Sequence, residues 1–151
     1  MRGDRNGATM RWLGRLLDRF RRIGDTHHAD PRHALGLRGE QLAERWLTQR
    51  GMRCIDRRYR GPMGELDLVM EAGRTVVFVE VKTQTSGAFN DPHERVTTGK
   101  QRKLIRVAKA YLLDKRLTDR PCRFDVVSVT LTEPEPRVEH FADAFRPREM
   151  R

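Results

Sequence analysis

A chain of 151 residues with 37% hydrophobic content suits one compact domain and a short appendage. No apolar run approaches the roughly 20 residues needed to cross a bilayer, which argues against an integral membrane protein. Lys and Arg number 31 against 21 Asp and Glu, a formal charge of +10, and a basic globular domain attracts polyanions, nucleic acid before acidic membrane.

Eight Arg against four Asp in residues 1–33 account for only part of that charge, so the folded part is basic as well. Cys54 and Cys122 stand far apart without metal-ligand spacing. With no export signal in view, two such cysteines suit a reducing, cytoplasmic setting.

Residues 10–23 place Trp12, Leu13, Leu16, Leu17, Phe20 and Ile23 on one helical stripe, with Arg11, Arg15, Arg19 and Arg22 off it. The spacing predicts a basic amphipathic helix that docks on the domain, an acidic membrane or nucleic acid. A polar linker at 24–34 holds His27, His28 and His33. The expected division is an N-terminal helix and linker at 1–33, a domain at 34–146 and a tail at 147–151.

A helix is predicted from Gly36 to about Arg50, ended by Gly51. Leu42, Ala43, Trp46 and Leu47 form its buried stripe, Gly36 and Gly39 allow close approach to a sheet, and Glu40 lies at the stripe's margin. Strands follow at about 52–59, 65–70 and 75–82, the last two joined through Glu71-Ala72-Gly73-Arg74. A second helix at 98–116 turns Leu104, Ala108, Tyr111 and Leu112 inward and leaves Arg102, Arg106, Lys109 and Arg116 on the opposite side. Strands at 123–131 and 137–141 complete an α/β domain in the order αβββαββ.

The chemistry gathers on the third strand. Alternation puts Val77, Val79 and Val81 on one face and Val76, Phe78, Glu80 and Lys82 on the other. A strand apolar on both faces is central and covered, so two charges at its end need compensation. On the preceding strand Glu65, Asp67 and Val69 share one face, and Leu66, Leu68 and Met70 the other. With Ala72-Gly73 as the turn, Glu65 pairs with Glu80, Asp67 pairs with Phe78, and Asp67 becomes a diagonal neighbour of Glu80, about 7–8 Å away.

Carboxylates crowded there suit Mg²⁺ or Mn²⁺, hard ions that prefer oxygen. Asp67 and Glu80 would hold the metal, Glu40 would approach it from the first helix, and Lys82 would serve the attacking water or the developing charge. A strand-end salt bridge between Glu80 and Lys82 is the plain alternative. Arg102, Arg106 and Lys109 are candidate contacts to a nucleic-acid backbone, with a solvated helix face as their alternative. Asp125, in a short apolar strand, is expected to be structural.

Five segments occur in order: Gly36-Leu-Arg-Gly39-Glu40, Gly64-Glu65-Leu66-Asp67-Leu68, Val77-Phe-Val-Glu80-Val-Lys82, Arg123-Phe-Asp-Val-Val127 and His140-Phe-Ala-Asp-Ala-Phe145. Together they resemble the YraN-type bacterial proteins, an uncharacterised family with a restriction-endonuclease-like fold similar to archaeal Holliday-junction resolvases. The resemblance implies a PD-(D/E)xK core, with Glu40, Asp67, Glu80 and Lys82 as the active site and Lys100 as a phosphate contact. It implies a divalent-metal-dependent endonuclease acting on DNA, branched or structured DNA included, and by analogy a homodimer. Leu66 stands where the formal motif has proline. The other readings are a nucleic-acid-binding module of the same fold without turnover, and an interaction or membrane-associated protein working through residues 10–23.

Overall fold

The computed structural model describes residues 30–85 and 96–147. The chain divides between Pro31 and Arg32, and the second unit carries all five strands. The predicted helix at 10–23, His27, His28 and residues 148–151 of the tail lie outside the described residues.

Helix α1 runs Pro31–Thr48, five residues earlier than Gly36. Proline is at home in a helix's first turn, where its missing N–H has no intrahelical partner to lose. Gly51 stops the helix as expected, with φ +90° and its N–H donated to Thr48. Strands β1 (Arg53–Gly61), β2 (Gly64–Ala72) and β3 (Thr75–Gln84) follow, then helix α2 (Thr98–Asp114) and strands β4 (Cys122–Thr130) and β5 (Arg137–Phe145).

The five strands form one mixed sheet in the order β1-β2-β3-β4-β5. Only β3 and β4 are parallel, and α2 makes the crossover between them, as a parallel pair requires. Buried Ala43 and Leu47 of α1 pack with Leu68, Met70, Val77, Val79, Val127 and Val129. Leu104, Val107, Ala108, Tyr111 and Leu112 of α2 pack with Val76, Phe78, Phe124 and Val126. The two faces of β3 are therefore the predicted ones, each covered by a helix. Among the described residues the chain is an α/β protein with a five-stranded mixed sheet and two helices.

The β2–β3 register corrects the expected one. Ala72 pairs with Thr75 and Val69 with Phe78, so Gly73-Arg74 is the turn instead of Ala72-Gly73. Gly73 has φ +59°, at the first central position, where a type II′ hairpin turn needs it. The slip is two residues, an even number, so by itself it turns no side chain to the other face.

Three further expectations change. Leu66 joins Val69 in the cluster under α2, rather than the cluster that holds Leu68 and Met70. Gly36 has open space where a Cβ would stand, whereas a Cβ on Gly39 would lie 1.8 Å from Thr83 Oγ1. Of these two, Gly39 is the close-approach glycine. Finally, β5 extends to Phe145, four residues past its expected end.

Candidate active site at the end of strand β3

Glu80 is 6% exposed at the point where β3 leaves its double cover. Its Oε1 accepts Lys82 Nζ at 3.0 Å and also the ammonium of Lys100. Lys82 comes from the same strand face, two residues on. Lys100 comes from the first turn of α2, which Thr97 caps by accepting the Lys100 backbone N–H at 3.3 Å. The predicted Glu80–Lys82 pair is present, and Lys100 makes it a triad.

Asp67 reaches the same place from β2. The β2–β3 ladder ends at Leu68↔Val79, and its register carries Asp67 to the level of Glu80. Beyond the ladder, Asp67 Oδ2 accepts the Val81 N–H at 2.8 Å. The carboxylate thus takes over a backbone donor that the diverging strand no longer serves. Burial, then the charge of Glu80, push the Asp67 carboxyl up to about 7, against the opposing pull of the Val81 N–H.

The two lysines respond in opposite directions. Burial, then the adjacent Lys100 ammonium, hold Lys82 below the usual lysine range. Burial also disfavours charge on Lys100, but the hydrogen bonds to Glu80 and Lys82 and the charges of Glu80 and Asp67 together outweigh that and hold its pKa above the usual value. Perturbed lysines paired in this way occur at functional sites and in structural ion-pair networks alike.

Glu40 stands at the margin of the group. Its Oε2 lies 3.6 Å from Arg58 Nε, and Arg58 has a φ of +49°. Burial raises the Glu40 pKa, Arg58 and His33 oppose this, and the charges of Glu80 and Glu65 add to it. Glu65 does not join the site: it pairs across the ladder with Arg60 at 3.1 Å, and its side chain is 64% exposed. The expected crowding of Glu65, Asp67 and Glu80 is therefore reduced to Asp67 and Glu80, with Glu40 within electrostatic reach. Among the described residues, no three His, Cys, Asp or Glu side chains stand close enough to form a ready-made metal cage.

On α2, Arg102, Arg106 and Lys109 are exposed. Their helix begins at the Glu80 triad, so the basic side runs away from the site. Among the described residues no helix is long and apolar enough to cross a membrane. A cleft of about 360 Å³ between the start of β4 and the end of β5 includes Thr75, Arg123 and Asp143 but none of the predicted site residues.

The sequence patterns missed two contacts: Lys100 on Glu80, and Arg58 near Glu40. Each joins elements distant in sequence, and no spacing rule covers them. Asp125 is structural, as expected. It is fully buried and accepts from Arg123 at 3.0 and 3.2 Å and from the Asp143 N–H at 2.8 Å, with His140 Nε2 also at 2.8 Å. His140 in turn meets Trp46 of α1 edge to face.

The model of the family described as "Uncharacterised protein family UPF0102" matches residues 39–129. This chain belongs to that family. It is 47% identical over 116 residues to a UPF0102 protein of Anaeromyxobacter dehalogenans, covering 77% of this chain and 87% of the relative. It is 42% identical over 124 residues to a UPF0102 protein of Geobacter sulfurreducens, covering 82% and 95%. A UPF0102 protein of Rhodococcus jostii shares 43% over 113 residues, 74% and 96% of the two chains. The YraN-type resemblance is borne out. The UPF0102 match includes Glu40, Asp67, Glu80, Lys82 and Lys100, and leaves out strand β5 and everything before Gly39.

Proposed function

We propose that this UPF0102 protein is a divalent-metal-dependent nuclease with a restriction-endonuclease-like PD-(D/E)xK core, hydrolysing phosphodiester bonds in branched or otherwise structured DNA. The observation that carries the reading is the meeting of Asp67, Glu80, Lys82 and Lys100 at one half-buried strand end. Hydrolysing a polyanion needs acids to hold a cation and ammonium groups to hold phosphate, and both are within reach at this strand end.

The donor set fits Mg²⁺ or Mn²⁺. Asp67 and Glu80 offer hard carboxylate oxygens, and the burial and neighbouring Glu80 charge that raise the Asp67 pKa are a stress a cation would relieve. Glu40 is the third carboxylate on that side. When bound, the cation supplies electrophilic activation of the phosphate and a more acidic water. As the free amine, Lys82 would orient the water and accept its proton as the water oxygen adds to phosphorus and one P–O ester bond breaks, the leaving oxygen taking a proton from solvent. Burial, which lowers its pKa, makes that free-amine form more accessible than for an exposed lysine. Lys100, Arg102, Arg106 and Lys109 bind the DNA backbone, giving affinity without sequence reading. Cutting two strands of a branch takes two such sites, hence a homodimer.

The test is cleavage. Incubated with Mg²⁺ or Mn²⁺ and a panel of linear, flapped and four-way DNA, the protein cuts at least one substrate, and the Lys82→Ala and Glu80→Ala proteins do not. Intact DNA across the whole panel would overturn the proposal.

A second reading is a nucleic-acid-binding module of this fold without turnover. It is favoured by the two lysines that already neutralise Glu80. In that case Glu80→Ala leaves DNA binding unchanged or tighter, and added metal changes nothing.

A further inference from the structure

Two ammonium groups converge on one buried oxygen, Glu80 Oε1. One of them is enough to neutralise a carboxylate. The second leaves the Glu80–Lys82–Lys100 group with a net positive charge in a half-buried place, where like charges repel several-fold more strongly than in water. The attraction of Asp67 for Lys100 relieves part of that excess.

The two lysines are tethered differently. Lys82 is on the strand that carries Glu80, and its side chain is 23% exposed. Lys100 is in the first turn of α2, 40% exposed, on the helix whose solvent side carries Arg102 and Arg106. A lysine is a compact charge on a flexible stem with three rotatable donors, so it changes partners without moving its helix. Of the two, Lys100 has the route outward to a ligand.

We propose that Lys100 exchanges partners, occupying the Glu80 oxygen in the metal-free protein and yielding it to a divalent cation to take a DNA phosphate instead. This rests on the metal-dependent reading above and adds a coupling to it. A cation at Asp67 and Glu80 and the Lys100 ammonium compete for one oxygen. Metal uptake therefore releases the phosphate anchor, and DNA that holds the anchor favours metal uptake in return. Such coupling is reciprocal and typically worth about 5- to 150-fold in affinity. Lys100 is thus a positioning residue, and its effect is legible without any cleavage.

The first measurement is calorimetric titration of Mn²⁺ into the wild type, Lys100→Met, and Lys103→Met as a control on the same helix. Lys100→Met binds Mn²⁺ about tenfold more tightly than wild type, and Lys103→Met matches wild type. If the wild type binds Mn²⁺ and Lys100→Met binds it equally or more weakly, the exchange is wrong while the metal site stands. If none of the three takes up Mn²⁺, the metal-dependent reading falls, and the exchange with it. Lys100→Gln, which keeps a polar group at this half-exposed position, repeats the comparison should the methionine variant fold poorly.

The second measurement is DNA affinity in EDTA. Glu80→Gln frees Lys100 and tightens binding. Made in the Lys100→Met protein, the same substitution gives no gain over Lys100→Met alone. A gain of equal size in that background comes from the lost negative charge alone and overturns the exchange.

Discussion

Asp67 Oδ2 accepts the backbone N–H of Val81 at 2.8 Å, and Val81 is the residue between Glu80 and Lys82. One hydrogen bond thus ties β2's acid to the segment of β3 that carries the other acid and the lysine. The carboxylate completes the sheet where the strand ladder stops, and on the proposed reading it would also hold the metal.

Asp67→Asn separates these two roles. Asparagine keeps an oxygen for the Val81 N–H but removes a desolvated charge beside Glu80. The Asp67 pKa is raised in the folded protein to about 7, so the folded state binds the proton more tightly than the unfolded chain. Wild-type stability from this group is full below about pH 4 and is lost as pH rises through 7. Without metal, Asp67→Asn is therefore more stable than wild type at pH 8, by on the order of 1–2 kcal/mol after allowance for partial exposure. Thermal melts at pH 5 and pH 8 check this, because the gain must be larger at pH 8. Mn²⁺ affinity falls in the same variant.

Lys82→Ala lowers metal-dependent cleavage by about 10²- to 10⁴-fold, the usual range for a positioned acid–base group. DNA affinity changes far less, because Lys82 is 23% exposed and directed at Glu80. Single-turnover rates with saturating protein distinguish the two effects.

Arg102→Ala and Arg106→Ala each weaken DNA binding uniformly across sequences. Each lowers the slope of log affinity against log salt by about one. Filter binding or anisotropy at several salt concentrations measures it, and an unchanged slope would mean that this side of α2 is merely solvated.

Gly39→Ala drives a methyl group into Thr83, 1.8 Å from its hydroxyl oxygen. The helix and strand then have to separate, at about 1–3 kcal/mol, as for other overpacked sites. Adding Thr83→Ala restores part of the loss. Chemical denaturation of the three proteins decides it, and a single variant as stable as wild type would show that α1 approaches the sheet less closely.

Asp125→Ala strands Arg123, His140 and the Asp143 N–H around an emptied, fully buried position. The expected loss is about 3–5 kcal/mol. Burial works against this carboxylate's charge, but the His140, Arg123 and Asp143 hydrogen bonds prevail and lower its pKa. Its contribution is complete above about pH 4 and is lost as pH falls through the lowered native value. The gap in stability between wild type and variant therefore narrows under acid, which urea melts from pH 7 to pH 3 would follow.

Local pattern determined a good deal of this protein. Alternation along Val76–Lys82 marked a covered strand with Glu80 and Lys82 on the face opposite Val77, Val79 and Val81. The i, i+4 spacing of Leu104, Ala108 and Leu112 set the inward side of α2, and Gly51 marked the end of α1. These are short-range consequences of periods 2 and 3.6 and of one residue free to adopt positive φ.

Register, partners and close approach were decided by the tertiary structure. A two-residue slip leaves every face unchanged, so alternation is blind to it, and the turn at Gly73-Arg74 places Asp67 level with Glu80 rather than diagonal to it. The separation of Glu65 from the site depends on its cross-strand pairing with Arg60. Lys100 reaches Glu80 only because α2 is packed over the α2-facing side of β3. Pattern says which way a side chain points, but what it meets there depends on where distant elements stop.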